Sequence, residues 1–431
     1  MLLVYTKTIT PRLRYTFKHV LTRILGISID FTTKIETFIA HNEVKMSYVK
    51  QPLGDEFSVR SHDLLFEQGI GEVEFSIQKW DNTPCFFPTG EKSSIPYDIF
   101  AASFYMLSRY EEYLPYVKDE HGRYTAEESL AFKNDFLTTP VVDIWAHKFL
   151  EIILERFPDV VSEKRVFEYK PIINIPVAYA YKKRGILRTL GGFATDIVRL
   201  KFSRFIERFA VLLGMRDDPF DNFETFIALH KKYQSKAYYF FQIGDYATND
   251  HNISIYKNVF VRLIKNVSDY SKVGLLASYA SFSEIKKLKI EKKRLTTTIN
   301  KPVKRVRQHF NMLNVPQFYR ALINLEFTED YSMGYRDTIG FRAGTCSPFY
   351  FYDIGMEIQT PLKVNPFCMQ YTGDIESEIF PNEIMKMATE VQKVNGTFVA
   401  VFHNVVLSER NMEWKELYVN LLKAYSNETH H

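Results

Sequence analysis

Residues 172–180, 237–243 and 273–278 read IINIPVAYA, AYYFFQI and VGLLAS, and how these three runs are read decides the fold. Each is short, apolar and bounded by polar or turn-forming residues, the pattern of a strand covered on both faces. Four more runs follow at Val303–Phe310, Thr338–Ala343, Ile358–Val364 and Thr397–His403. Helical patterns separate them, near residues 195–213, 222–233, 257–270, 283–290, 317–325, 382–394 and 414–422. Strands that alternate with helices predict βαβ units and a parallel sheet, so the fold class is α/β. Seven runs in this length suit a (β/α) barrel, in which reactive groups sit at the C-terminal strand ends because the βα loops converge there. Those ends carry Tyr179–Tyr181, Gly244-Asp245, Ser278-Tyr279, His309, Arg342–Gly344 and His403-Asn404.

Upstream the pattern changes. Val73–Trp80 alternates with a period of two and reads as a strand, while Tyr97–Tyr113 and Pro140–Phe157 repeat apolar residues at helical spacing. The charged stretch Asp159–Glu168 marks a boundary. The chain of 431 residues thus divides into an N-terminal α+β domain, residues 1–160, and a seven-strand barrel domain, residues 165–426. The terminal His430-His431 pair is left out of the fold reading.

Composition excludes several function classes. Fifty-five basic residues against 51 acidic ones leave a net charge of +4, too small to imply nucleic acid without a recognisable module. Cys85, Cys346 and Cys368 form no metal or disulfide pattern and point to a reducing compartment. The first 21 residues are interrupted by Lys7, Arg12, Arg14 and Lys18, unlike a secretory signal, and no apolar run is long enough to span a bilayer. The expected location is cytoplasmic. The 36 Phe and 27 Tyr supply a large core and also suit stacking on sugar rings, with core the main use.

Longer segments carry a family resemblance: INIPVAYAYKKRG, YYFFQIGDYATNDHNIS, VGLLASYASF, VKRVRQHF, TEDYSMGYRDTIGFRAGTCSPFYFYD and VAVFHN in the second domain, with IPYDIFAASFYMLSRYEEYLP and CFFPTG in the first. Together they cover most of the chain from about residue 75 and resemble the polysaccharide-deacetylase superfamily (carbohydrate esterase family 4), in a bacterial branch with an extra N-terminal domain of unknown function. The resemblance implies a deacetylase-type barrel that acts on a polysaccharide or N-acetylated sugar through a divalent ion (zinc, cobalt or nickel) held by Asp and His. It also implies an Asp base, an Arg that orients the base, and a His acid on the last strand.

Carried over residue by residue, the pattern is mixed. The base position is Asn174, and the metal positions hold Pro176 and Leu276. His309 remains as a residual metal ligand, His403 as the candidate acid and Arg342 as the orienting residue, beside Gly344. Tyr179, Tyr279, Asp330 and Gly344 are the candidate substrate cleft. Arg342 reads equally well as the buried partner of Asp330 or Asp353, and Cys346 lacks the neighbours of a nucleophile.

An asparagine, a proline and a leucine do not make a metal site, which needs about three N, O or S ligands. The primary expectation is therefore a non-catalytic, glycan- or partner-binding relative with no cofactor, linked to bacterial surface polysaccharide metabolism and its biosynthetic enzymes. The alternative is an active N-deacetylase with relocated ligands, using His309, His403 and Asp330. A third reading concerns Lys182–Arg216, whose helix gathers Ile197, Leu200, Phe205, Phe209 and Leu212 on one face among nine basic residues. Such a face lies on an anionic membrane surface or packs on the barrel, and packing is the expectation. Lys286–Arg307, also basic, reads as a solvated loop or as a site for acidic groups.

Overall fold

The computed structural model describes residues 1–163, 165–372, 381–408 and 411–426, so the terminal histidine pair lies outside the described residues. The strands in chain order are β1 (Leu2–Tyr5), β2 (Ile29–Thr32), β3 (Lys45–Val49), β4 (Ser58–Arg60), β5 (Gln78–Trp80), β6 (Thr83–Cys85) and β7 (Glu168–Ile175). They continue with β8 (Tyr238–Gln242), β9 (Lys272–Ala277), β10 (Arg305–Gln308), β11 (Glu329–Asp330), β12 (Phe349–Asp353), β13 (Ile358–Val364), β14 (Met369–Tyr371) and β15 (Thr397–His403).

The chain forms two compact units. The first is Met1–Glu168 with Leu313–Met369 and Asn382–Val399; the second is Tyr169–Met312 with Gln370–Pro381 and Ala400–His431. Where the barrel domain was expected to run unbroken from residue 165 to 426, two of its segments are thus returned to the first unit.

In the first unit the opening strands form a sheet in the order β2-β1-β3-β4, every neighbour parallel. The helix Pro11–Phe17 makes the first crossover. Proline stands at its first turn, where no amide partner is missed, and the Thr10 hydroxyl accepts the Leu13 amide at 3.1 Å. This part was read as α+β, but its connections are those of a parallel α/β sheet. Val73–Trp80 yields only the short β5, paired with β6. The helix expected over Tyr97–Tyr113 spans Ile99–Leu107, and it ends because Arg109 turns to φ 56°. Helix Val141–Arg156 buries Trp145, Phe149 and Ile153 as its spacing predicts. Thr338–Ala343 is not a strand. Gly340, at φ 146°, lies so close to Leu137 that a Cβ would meet its Cγ at 2.5 Å, and the Phe341 amide bonds Leu137 O at 2.8 Å.

The second unit holds a sheet in the order β10-β9-β8-β7-β15-β14, parallel from β7 through β10. The protein is therefore a mixed α/β molecule with parallel sheets. No hydrogen-bonded pair among the described residues closes a ring, so the barrel expected from the strand count is not formed in the hydrogen bonding. Registered neighbours point to the same face. Asn174, Phe240 and Gly274 therefore share one row, and Gln242, Leu276 and Arg307 the next row toward the C-terminal edge. Gly274 is needed there: a Cβ would sit 2.5 Å from the Phe240 ring.

Two basic stretches depart from expectation. Lys286–Arg307 is the helix Ile285–Ile299 followed by β10, not a loop. The helix near 195–213 is two helices, Ile186–Val198 and Phe202–Leu212, and their apolar faces are exposed rather than packed on the sheet.

Candidate functional site

The C-terminal edge of the second unit's sheet collects polar side chains, and almost all of them hold backbone. After β7, the Asp218 carboxylate accepts the amides of Ala180 and Tyr181 at 2.8 Å and of Lys182 at 2.9 Å. Asn252 accepts the Ala178 amide at 3.0 Å and donates to Gln242 O at 2.6 Å. Asn404, just past β15, donates to Val177 O and Phe220 O, both at 3.1 Å. These bonds follow from the chain's need to leave a parallel sheet: the loop amides lose their ladder partners and are supplied with side-chain acceptors.

A second cluster forms after β9. Ser278 caps the short helix Tyr279–Ser283, and its amide and hydroxyl donate to Glu291 at 3.1 and 2.5 Å. Asp250 accepts the amides of Tyr279 at 2.9 Å and Ala280 at 3.3 Å, and it faces His309 Nδ1 at 3.2 Å. The two carboxylates respond differently to burial. Burial lifts the Glu291 carboxyl to about 7, against the Ser278 hydrogen bonds and with the help of the Asp250 charge. Asp250 is also penalised by burial, but the His309 and amide hydrogen bonds win and hold it below the usual carboxylate range. His309 is slightly exposed and meets the edge of Phe310, which in turn meets Tyr279 edge-on at 5.4 Å. Phe310 and Asn311 both have positive φ, 56° and 54°, a strained segment directly after β10.

The anticipated residues separate by unit. Asn174, Pro176, Tyr179, Leu276, Tyr279, His309 and His403 belong to the second, whereas Asp330, Arg342 and Gly344 belong to the first. Asn174 and Leu276 are buried, and the Asn174 Oδ1 and both polar atoms of the Gln242 amide have no hydrogen-bond partner among the described residues. Tyr179 is also buried, its hydroxyl pushed up to about 12 by burial and by Asp221 and Asp218. It lines the loop rather than an open cleft. His403 is half-buried at the end of β15.

In the first unit, Arg342 is paired with neither Asp330 nor Asp353. Its Nε and Nη2 each donate to Glu112 at 2.8 Å, and Arg109 donates to Glu112 and to the Arg342 carbonyl. Asp353 takes Arg320 instead, and Asp330 accepts from the Tyr319 hydroxyl, the Ser332 amide and the Ser332 hydroxyl. Asp330 is fully buried, and these bonds occupy its carboxylate. Gly344, at φ 62°, lies against Met106, where a Cβ would come within 2.8 Å, so it packs in the core. The neighbouring Thr345, Cys346 and Ser347 all bond the buried Asp143, and burial first and then that carboxylate push the Cys346 thiol well up.

The donors present do not fit a metal. Of the positions that the resemblance assigns to a metal, Pro176 and Leu276 offer a proline ring and an alkyl group, and His309 alone offers a donor. Among the described residues no group of three or more His, Cys, Asp or Glu side chains converges. Sequence reasoning missed Asp250, Glu291 and Gln242. Nothing in DYATNDHNIS set Asp250 apart from Asp245, and nothing set Glu291 apart from its lysines.

Residues 2–158 match the family model described as "Family of unknown function (DUF7033)". No curated protein matches the chain. Among solved structures, one from Mycobacterium smegmatis described as a candidate polysaccharide deacetylase aligns with 61% of this chain and 86% of its own, at 10% identity and TM-score 0.38. A polysaccharide deacetylase of Bacillus cereus aligns with 60% of this chain and 88% of its own, at 11% identity and TM-score 0.29. A mutant of a CE4-family pseudoenzyme with restored enzymatic activity aligns with 60% of this chain and 64% of its own, at 10% identity and TM-score 0.25.

Proposed function

We propose that this protein is a deacetylase-like, non-catalytic carbohydrate-binding protein of bacterial surface polysaccharide metabolism. One observation carries the reading: the carboxylates at the sheet's C-terminal edge, Asp218, Asp250 and Glu291, are occupied by backbone amides. The former base and ligand positions, Asn174 and Leu276, are buried groups without acid–base or metal chemistry. The resemblance supplies the substrate class, an N-acetylated glycan. Tyr279, Phe310 and His309 supply a rim of rings and one imidazole suited to stacking and hydrogen bonding with it.

The purified full chain should bind N-acetylglucosamine oligomers in calorimetry, with the same affinity before and after chelator treatment, and should release no acetate. Binding should weaken by about twofold to tenfold on Tyr279→Ala, in line with the roughly 0.5–1.5 kcal/mol that an aromatic contact contributes. Stoichiometric zinc, nickel or cobalt that disappears on His309→Ala, or acetate release, would replace this reading with that of an active deacetylase.

The pairing of His309 with Asp250 favours a second reading, metal-free acid–base chemistry, because a carboxylate at 3.2 Å orients an imidazole as a base. Acetate release that survives chelation and is abolished by Asp250→Asn would select it.

A further inference from the structure

The hairpin of helices Ile186–Val198 and Phe202–Leu212 is inverted relative to an ordinary amphipathic pair. One pair of its charges faces inward. Asp196 and Arg208 form an ion pair between the helices at 2.8 Å and are only 5% and 9% exposed. The Arg208 guanidinium also lies over the rings of Tyr181 and Phe193, and Gly192 leaves it room, because any Cβ there would collide with it. Glu207, the one other carboxylate between residues 182 and 216, accepts a hydrogen bond from the Tyr181 hydroxyl at 2.6 Å.

The apolar side chains face outward. Leu187 and Val198 on the first helix are 86% and 82% exposed, and Phe202 and Ile206 on the second are 59% and 66%. Positions 186, 190 and 197 repeat at helical spacing along one face, as do 202, 206, 209 and 213 along the other helix, and all of them are exposed. Arg199, Lys201 and Arg204 cluster at the hairpin tip among these side chains and are exposed as well.

We propose that this hairpin is a membrane-surface anchor that lays its outer face into the headgroup region of an anionic bilayer. Water is a poor solvent for two adjacent apolar stripes, whereas a lipid interface takes the stripes and gives the tip cations lipid phosphates as counter-ions. At 13 and 11 residues, the helices are far shorter than the roughly 20 needed to span a bilayer, so they lie along it. The charge pattern selects an anionic lipid surface over a protein partner or a second copy. Both acidic side chains of the segment are taken up, Asp196 by Arg208 and Glu207 by the Tyr181 hydroxyl, so the outward face presents cations and hydrocarbon with no opposing carboxylate. This inference stands apart from the carbohydrate reading and fails or survives independently of it.

The test is flotation of the full-length protein with phosphatidylcholine vesicles, with and without phosphatidylglycerol as about a third of the lipid, at low and high salt. A dye on Ser203→Cys reports insertion; Ser203 is exposed, and the native cysteines are all buried. The expected result is flotation with the anionic vesicles at low salt, a decline at high salt and a blue shift of the dye. Arg199→Glu and Lys201→Glu should each weaken binding at least about fivefold, the ratio for roughly 1 kcal/mol per basic residue near the surface. Ile206→Asp should abolish it while circular dichroism stays unchanged. Absence of flotation at low salt overturns the proposal, as does equal flotation on phosphatidylcholine alone. A dimer that does not float and that Ile206→Asp converts to monomer overturns it in favour of a second copy.

Discussion

Glu291 shows how a single residue can be unreadable in sequence and decisive in the fold. In KKLKIEKKR it looks like one more charge on a solvated face, yet it is 2% exposed and its carboxyl is held up to about 7 by burial. Between the ordinary carboxylate value of 4.5 and about pH 7, the folded protein keeps a proton that the unfolded chain has already released. Stability therefore falls as pH rises through that window, by at most about 3 kcal/mol. Glu291→Gln has no proton to lose, so its urea midpoint should change less than that of the native protein between about pH 5 and about pH 8; parallel midpoints would refute the assignment. Asn174 and Leu276 were legible for the opposite reason. Their meaning lies in which functional groups they lack, and side-chain chemistry is visible without coordinates.

At the scale of elements, Glu112 explains why the stretch around Arg342 is not a strand. The residue stands in a turn created by the left-handed Arg109, and two buried guanidiniums converge on its carboxylate. Burial works against its ionisation, but Arg342 and Arg109 overcome that and lower its pKa. The stabilisation is thus present above the usual carboxylate range and is lost as pH falls below it. Glu112→Gln should destabilise the protein by about 3–5 kcal/mol at neutral pH, since it takes the carboxylate from the buried Arg342 and leaves Arg109 with Glu111 alone, and thermal unfolding checks this. A loss below 1 kcal/mol would mean that water reaches the arginines. Period and composition located β8, β9 and β15 to within a residue or two, because buried parallel strands are uninterrupted apolar runs, and β13 through the alternation at its end. They failed at Thr338–Ala343, where apolar residues serve a loop fixed by Gly340 and by a charge 230 positions away in sequence. The N-terminal strands were missed because Leu2–Tyr5 and Ile29–Thr32 are four residues each, too short for a periodic signal.

For the whole molecule, the interleaving of the two units was not legible in the sequence, since nothing local marks where a chain returns to an earlier unit. The partners of Glu112, Asp143 and Arg12 in the first unit include Arg342, Ser347 and Glu357, which all arrive later in the chain. Residues 1–163 expressed alone should therefore show no cooperative unfolding transition in calorimetry, and a sharp transition would show that the N-terminal segment folds unaided. The same interleaving has a consequence during synthesis. The 144 residues from Tyr169 to Met312 must leave the ribosome before Arg342 can emerge. At about 5–20 residues per second, the nascent Glu112 and Asp143 wait roughly ten to fifty seconds for partners 230 and 204 positions later. Over that interval the half-built first unit holds these carboxylates without the groups that pair with them in the finished fold.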